Sequence, residues 1–449
     1  MITYSIIQKS ELEGTHRLDA EYYQPEYLRV QKLLAESKPV LLKNVASIVT
    51  GPAYSSGEMG QDFDLPLARI GDVVNKTDVE DWLRISKKEF DRFGGKRIKN
   101  LDILLSMTGD PPDVGKCNLI TIKENETFAF NQRVAKLTPR INAQYLFAYL
   151  STEIARLQPE RNALGIRQRN LGINDLRNTL VFVPTSNIQD AISNLVRDYL
   201  SERYNSKSLY SQAENLLLEE LGFKDFKSEE NLFSIVNLSD IKSAHRMDAE
   251  YFQPKYEKII SLIRANGGIT LDKVIENVPA RFSPKLDEVY RYVELANINT
   301  SIGIIDGFSE VLGKEAPSRA KRVLKTDDVI VSSVEGSLGK VALVEKEHEG
   351  YLASTGFFQL RSKEIVPEAL LVLAKSPVFQ MQLEKMCAGT ILTAVPKESI
   401  SKILVPAISR LTQQKIADLV KKSHEARKKS KELLEEAKRK VEEMIENIK

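Results

Sequence analysis

A short motif, Asp110-Pro111-Pro112-Asp113, is the part of this sequence that comes nearest to a catalytic signature. Amino-group methyltransferases carry Asp/Asn-Pro-Pro followed by an aromatic residue, which stacks on an extruded base. Here the fourth residue is aspartate, which has no ring to stack. We therefore interpret this segment as a turn and not as a catalytic motif.

Other signatures of catalysis or metal binding are also missing from the sequence. The segment from Gly109 to Lys116 has the wrong spacing for a phosphate-binding loop, and Cys117 stands where that loop needs Ser or Thr. The histidines are too scattered for metal-ligand spacing, at His16, His245, His348 and His424. The sequence suggests no Ser-His-Asp or Cys-His arrangement either. It predicts neither catalytic residues nor metal ligands.

The sequence does concentrate side chains of the kind that read DNA bases. Arg, Gln and Asn make bidentate contacts to guanine and adenine edges. The candidates in the first half of the chain are Lys96, Arg97, Asn131, Gln132, Arg133, Gly165, Arg167, Gln168 and Arg169. Those in the second half are Arg281, Ser283, Lys285, Arg319, Lys321, Thr355, Gly389, Thr390 and Thr393. Any one of them, taken alone, is better explained as a solvated surface residue, and it is their concentration in loops that differ between the two halves that favours base reading.

The frame that carries these residues is built twice. The segment from His16 to Tyr27 returns 229 positions later, from His245 to Tyr256, and weaker matches continue along both halves. The copies diverge most at 51–64 against 280–290 and at 166–170 against 390–394, close to several of the candidates. A common frame with different loops suits binding at two related places to two different targets.

Two long helices are predicted, from Ile188 to about Leu221 and from Thr412 to about Ile448. Each has a heptad-like seam, and the two seams superpose at an offset of 224. The seam residues are Ile192, Leu195, Leu209, Ala213 and Leu216 in the first helix, with Ile416, Leu419, Leu433 and Ala437 in the second. Because large apolar residues are few, the seams favour close packing in an antiparallel coiled coil. Two surface helices packed on their own domains are the alternative.

The expected architecture is an α/β fold with two repeated recognition domains joined by the helices. The predicted segments are 1–187 and 222–407 for the domains, with 188–221 and 408–449 for the helices. The charge is nearly balanced, with 64 basic and 62 acidic residues, so composition alone does not indicate nucleic acid. Two cysteines and the lack of a long apolar run predict a soluble, cytoplasmic protein without disulfides or a membrane partner.

The sequence resembles the specificity (S) subunits of Type I restriction-modification systems over nearly its whole length. The matching features are the doubled His-Arg-x-Asp-Ala-Glu-Tyr-(Tyr/Phe)-Gln-Pro-x-Tyr segment, Pro184 and Pro406 before the long helices, and the helix start Gln413-Gln414-Lys415-Ile416-Ala417. The resemblance implies that each repeat is a target-recognition domain for one half of a bipartite DNA sequence. It also implies that the helices set the spacing and hold methyltransferase (M) subunits, which recruit restriction (R) subunits.

The resemblance also assigns some residues. Gly165, Arg167, Gln168 and Arg169 fall at a Gly-Ser-Thr-Gln-like loop of the family, and Gly389, Thr390 and Thr393 fall there in the second copy. Asn131-Gln132 matches a family Asn-Gln segment, from which the second copy departs with Ser354-Thr355-Gly356.

The resemblance implies a non-catalytic, DNA-binding subunit. S-adenosylmethionine would belong to the M subunits, of which two are expected. Two alternatives remain: a methyltransferase with an unrecognised motif, and a coiled-coil scaffold for protein interactions.

Overall fold

The computed structural model describes residues 4–15, 17–75, 79–110, 112–122, 126–165, 168–224, 233–389 and 393–448. They belong to two compact units, the first made of 1–201 and 429–449 and the second of 202–428. These units divide the chain inside both long helices. The predicted domain boundaries, which give each helix a segment of its own, stay a prediction.

The helices are short apart from the two that the sequence predicts. Several begin with proline, whose fixed φ suits the first helical position and whose missing N–H costs nothing there. In chain order they are α1 (Lys9–Thr15), α2 (Pro25–Glu36), α3 (Leu42–Val45), α4 (Ile70–Val74), α5 (Lys87–Arg92), α6 (Ala143–Leu150), α7 (Glu153–Asn162), α8 (Ile173–Arg177), α9 (Ser186–Glu220), α10 (Leu238–Ala244), α11 (Pro254–Ala265), α12 (Pro367–Lys375), α13 (Pro377–Met386) and α14 (Arg410–Glu446).

The strands are also short, and together with the helices they give the mixed α/β fold that the sequence predicts. In the first unit they are β1 (Val40–Leu41), β2 (Ala46–Thr50), β3 (Met59–Gly60), β4 (Leu65–Ala68), β5 (Arg84–Ile85), β6 (Ile103–Ser106), β7 (Thr108–Gly109), β8 (Cys117–Leu119), β9 (Ala129–Phe130), β10 (Val134–Pro139), β11 (Arg169–Asn170) and β12 (Leu180–Val181). In the second they are β13 (Ile269–Thr270), β14 (Ile275–Asn277), β15 (Val289–Val293), β16 (Ile298–Asn299), β17 (Ile304–Ile305), β18 (Ser309–Leu312), β19 (Ala320–Val323), β20 (Asp328–Ser332), β21 (Val341–Leu343), β22 (Leu352–Ser354), β23 (Phe357–Ser362) and β24 (Leu404–Val405).

The core of the first unit contains an antiparallel sheet in the order β2-β10-β6-β8 and the buried helix α6. Every residue of β6 is buried, as a short continuous apolar run predicts. Helix α6 begins after Asn142, whose side chain accepts a hydrogen bond from Tyr145 N at 3.0 Å. Apolar residues of the sheet and of α6 pack in one cluster. This packing holds in place the sheet from which the candidate loops emerge.

The second unit contains two sheets. The larger has the order β14-β23-β20-β21-β17-β16, and its central strands pack against α12. The smaller has the order β18-β15-β22-β19. Asp328 lies buried at the start of β20, where Arg361 donates two hydrogen bonds to it at 2.8 and 2.9 Å. This pairing satisfies a carboxylate that would otherwise be costly to bury.

The two predicted long helices are confirmed as α9 and α14, and each contributes to the cores of both units. Among the predicted seam residues, Ile192, Ala213, Ile416 and Ala437 are buried, and Leu195, Leu209, Leu216, Leu419 and Leu433 are partly buried. The predicted leucines of α9 are less buried than the residues that directly follow them, which are Val196, Tyr210 and Leu217. The buried stripe is wider than a two-position coiled-coil seam because each helix packs on the cores of both units.

No helix in the described part of the chain combines the length and apolar character that crossing a membrane requires.

Both cysteines are buried free thiols, and alkylation offers a test of their environment. Burial raises the pKa of the Cys387 thiol to about 11, so roughly one thiol in a thousand is ionised at pH 8. We expect iodoacetamide to label Cys387 very slowly in the native chain and rapidly in guanidinium chloride, as followed by peptide mass spectrometry. Fast labelling of native Cys387 would contradict the buried position.

Candidate nucleic-acid interface

The candidate loops of the first unit emerge at one end of its main sheet. β10 runs antiparallel to β2 and β6, with Ala135 opposite Thr50 and Val134 opposite Ser106. The loops after β2, after β6 and before β10 therefore leave from the same end of the sheet. Met107 N donates to Arg133 O at 3.0 Å, and Leu171 N donates to Met107 O at 2.8 Å, which adds the loop that carries Gln168 and Arg169.

The side chains of this edge are largely turned to solvent. Lys96, Arg97, Gln132, Arg133 and Gln168 are exposed, and Asn131 is half-buried. Asn131 Oδ1 accepts a hydrogen bond from Arg133 N at 3.1 Å, so this side chain also shapes the turn that presents its neighbours. Lys96 Nζ donates to Thr50 O at 3.5 Å, which holds Lys96 near the end of β2. The structure thus brings together candidates that are widely separated in sequence.

Arg169 has a different environment. Its side chain is only 17% exposed and forms an ion pair with Glu21 at 2.9 Å. A weaker contact runs from Arg169 Nη1 to Glu160 O at 3.5 Å. The neighbouring Gly165 has φ +133°, and a Cβ there would lie 2.2 Å from Gln168 O. Base reading by Arg169 stays a prediction, while its observed contacts tie this loop to the body of the unit. Arg167 and Thr390 lie outside the described residues.

Gly51 is the point where the first divergent loop leaves β2, and it allows a very close backbone approach. A Cβ at this position would lie 2.0 Å from Phe130 O. We expect Gly51→Ala to lower the free energy of unfolding by about 2 kcal/mol or more, because the backbone must move to relieve the overlap. Urea unfolding measures the effect. Gly57→Ala is the matched control, since a Cβ there meets nothing within 4 Å; equal stability of the two variants would contradict the prediction.

In the second unit, one group of candidates lies along β19 and β22. Phe282 N donates to Lys321 O at 3.1 Å, which brings the 281–285 loop to β19. Thr355 N donates to Arg319 O at 2.8 Å. Arg281, Arg319 and Lys321 are exposed, so three basic side chains surround this edge. Ser283 and Lys285 are exposed in the same loop, where Lys285 Nζ lies 2.7 Å from Glu288 Oε1.

The alternation of side chains along β19 determines which basic residues between 319 and 322 are exposed to solvent. Side chains alternate in β19, so Lys321 faces outward and Arg322 faces inward. Arg322 Nη1 donates to Val278 O at 2.6 Å, and burial lowers the pKa of its guanidinium to about 10. Arg322 is therefore a structural residue.

The remaining second-unit candidates are connected to Thr355 through its neighbour Gly356. Ser333 N donates to Gly356 O at 2.9 Å, and Glu335 N donates to Thr393 O at 3.0 Å. Thr393 Oγ1 lies 3.4 Å from Gly389 O. The second unit thus also gathers loops that are far apart in sequence at the ends of its strands.

Sequence reasoning missed two residues at these edges. Arg69 follows β4 beside the Asn131 loop, because Asn131 N donates to Ala68 O at 3.2 Å. Phe282 lies inside the 281–285 loop and contacts Tyr290, with ring centroids 5.8 Å apart. Both adjoin residues that the sequence selected, but no motif marks them. Asp113 N donates to Asp110 O at 2.6 Å, a contact expected of the turn predicted there, while Pro111 lies outside the described residues.

One of the scattered histidines lies in a local group of potential metal ligands. Glu345, Glu347 and His348 each place one potential ligand atom within 4.8 Å of the others. The carboxylates also contact histidines, with His424 Nδ1 at 3.5 Å from Glu345 and His348 Nε2 at 3.7 Å from Glu347. Such carboxylate and imidazole groups commonly pair without an ion, so the group carries no metal assignment.

Comparison with known proteins finds one family that matches part of the chain. Residues 35–209 match the family model of the Type I restriction modification DNA specificity domain. This part of the chain is therefore similar to a DNA specificity domain. The matched residues include every first-unit candidate and much of α9, so the resemblance seen in the sequence is confirmed. Specificity domains are a non-catalytic kind of component.

Solved specificity subunits are more distantly similar to the chain. The S subunit of a Type I restriction-modification system from M. genitalium has a TM-score of 0.39 at 14% identity, covering 92% of this chain and 95% of its own. The HsdS subunit from Thermoanaerobacter tengcongensis has a TM-score of 0.29 at 12% identity, with coverages of 92% and 97%. No curated protein matches the sequence significantly. The similarity to the specificity family rests on the match of residues 35–209 to the family model.

Proposed function

We propose that the chain is the DNA sequence-specificity subunit of a Type I restriction-modification complex. Each repeat reads one half of a bipartite target in double-stranded DNA, and neither repeat performs chemistry. The observation that carries this proposal is the gathering of divergent polar loops at strand ends in each unit, in a chain with a DNA specificity domain.

The different loops support a division of labour between the repeats. The first unit presents Arg133 and Gln132 from the loop before β10. The second presents Arg319 and Lys321 at β19, and its Ser354-Thr355-Gly356 segment has no Asn-Gln pair. Side chains with different hydrogen-bonding patterns select different base edges in the major groove. One duplicated frame can therefore specify a target whose two halves differ.

We also propose that α9 and α14 form an antiparallel coiled coil that sets the distance between the half-sites. Ser430 Oγ donates to Tyr199 O at 3.1 Å, and Ser423 Oγ donates to Ser206 O at 2.7 Å. Position numbers rise along α9 as they fall along α14 across these contacts, which supports antiparallel pairing. Serines let the backbones approach closely, in keeping with the small residues of the predicted seam.

The partners in this proposal are two methyltransferase subunits, with restriction subunits joining through them. S-adenosylmethionine and the base-flipping pocket belong to the methyltransferase. We therefore expect the purified chain to transfer no methyl groups to DNA. Methyl transfer should appear only when the M subunit is added. Incorporation of labelled methyl groups into duplex DNA measures this, and robust transfer by the chain alone would support the methyltransferase alternative.

The decisive experiment maps methylated positions in host DNA with and without the gene for this chain. We expect a bipartite methylated sequence to disappear when the gene is deleted and to return with it. A scaffold that binds only proteins would leave the methylated sequence unchanged. DNA binding by the assembled complex should also weaken steeply with salt, because phosphate neutralisation releases counterions.

A further inference from the structure

Two exposed side chains of opposite charge hold equivalent places in the two units. In the first unit β4 runs parallel to β9, and Arg69 directly follows β4. In the second unit β15 runs parallel to β22, and Glu294 directly follows β15. Both residues are exposed, Arg69 by 45% of its side chain. The repeated frame therefore carries a cation in one copy and a carboxylate in the other.

The backbone presents the two side chains in the same way. The backbone angles are φ −113° and ψ 173° at Arg69, and φ −123° and ψ 178° at Glu294. Each residue also donates its backbone N–H to the side chain three positions later. Arg69 N donates to Asp72 Oδ2 at 2.9 Å, and Glu294 N donates to Asn297 Oδ1 at 2.8 Å. Because the turns match, the two copies differ at this place in the chemistry of the exposed side chain.

Arg69 lies beside a loop of the first unit that carries candidate base-reading residues. β9 leads into this loop, and Asn131 N donates to Ala68 O at 3.2 Å, directly before Arg69. Arg69 Nε donates to Oδ2 of the buried Asp72 at 3.3 Å, which orients the guanidinium. This bond does not use Nη1 or Nη2. These two nitrogens form a pair of donors that can bind O6 and N7 of one guanine together.

Glu294 lies beside the corresponding loop of the second unit. β15 and β22 are parallel neighbours, and β22 leads into the loop of Thr355. Lys340 Nζ donates to Leu295 O at 2.7 Å, directly after Glu294, and ties this turn to the segment that joins β20 and β21. Both turns therefore lie where the candidate loops of their own unit gather.

An exposed carboxylate at a DNA-reading edge needs a partner that donates. Phosphates repel Glu294, so its presence there weakens binding to any duplex that offers it no donor. In the major groove the donors are the amino groups of cytosine and adenine. Adenine also places the acceptor N7 beside its amino group, which repels a carboxylate, whereas cytosine offers the amino group alone. Glu294 is therefore suited to cytosine.

We propose that Arg69 and Glu294 each determine one G·C base pair in the half-site of their own unit. Arg69 donates to the guanine, and Glu294 accepts from the amino group of the cytosine. This inference rests on the proposed function, because it names the base that each side chain reads. The same turn with the opposite charge contacts the other base of the pair, so a change of one residue changes which base the repeated frame selects.

The test measures the sequence preference of the assembled complex, with duplexes changed at one base pair at a time. We expect the wild-type complex to require G·C at one position of the half-site that the first unit reads. Arg69→Ala should lower the discrimination at that position about tenfold to hundredfold, because alanine offers guanine no donor. Arg140→Ala is the control, since Arg140 follows the opposite end of β10, and it should keep full discrimination. Unchanged preference in the second half-site shows that the variant complex is intact.

Glu294→Ala should have a different signature in the half-site of the second unit. The preference for cytosine at one position should be lost, while binding to unrelated duplexes becomes tighter, because a charge that repels phosphate is removed. Glu364→Ala is the matched control. Glu364 is also exposed but follows β23 at the opposite end of that strand from Thr355, so this variant should change neither quantity.

The inference is overturned if either alanine variant leaves the base preference of its half-site unchanged. It is also overturned if Arg69→Ala weakens all duplexes equally, which would indicate a phosphate contact, or if Glu294→Ala weakens binding to unrelated duplexes. In each case a wild-type complex that selects a bipartite sequence leaves the proposed function standing. A wild-type complex without sequence preference removes both.

Discussion

Replacing Arg133 by alanine is expected to weaken specific DNA binding by about 1 to 3 kcal/mol and to relax sequence preference in one half-site only. Arg133 is exposed at the sheet edge where three loops of the first unit meet. A guanidinium there can donate two hydrogen bonds to one guanine, and alanine can donate none. Competition with duplexes altered in one half-site at a time, using the assembled complex, measures both effects.

Arg140→Ala is the matched control, since Arg140 follows the opposite end of β10 and its Nη1 donates to Lys43 O at 3.0 Å. Losing this contact should change neither the affinity for specific duplexes nor the base that is preferred. If Arg133→Ala weakens all duplexes equally, Arg133 contacts phosphate and not bases. If it relaxes both half-sites equally, the repeats do not divide the target between them.

The long helices could be predicted because their signals are local. Charged residues recur, proline is missing, and apolar or small residues repeat at steps of three and four, so α9 and α14 were expected within two residues of their observed ends. The depth of burial along them was less predictable. Val196 and Leu217 are buried more deeply than the predicted Leu195 and Leu216, because α9 packs on the apolar cores of both units. Only the tertiary fold supplies those contacts.

Candidate recognition loops could be selected from the sequence, because comparing the two copies separates the segments that are retained from those that diverge. The contacts of the chosen residues could not be predicted, since they join distant parts of the chain. Arg169 and Glu21 are 148 positions apart, and no local pattern indicates their pairing.

Lengthening both long helices by four residues is expected to lengthen the spacer between the half-sites by one or two base pairs. The insertions belong after Ser201 in α9 and after Lys428 in α14, where the two compact units divide. Four residues add about 6 Å to a helix, and base pairs stack at about 3.4 Å. Because both helices are lengthened together, the contact of Tyr199 with Ser430 and that of Ser206 with Ser423 can each be kept.

Rotation decides whether the lengthened helices still pair. Four residues turn a helix by about 400°, close to one full turn, so the buried serines return nearly to their original face. Two residues turn it by about 200° and would point Ser206 and Ser423 away from their partners, so paired two-residue insertions should impair assembly with the M subunits. Methylated-site mapping in one host compares the parent with both variants. The half-site sequences should stay the same in the four-residue variant, since no recognition loop is altered. An active four-residue variant with an unchanged spacer would show that the helices do not set the distance.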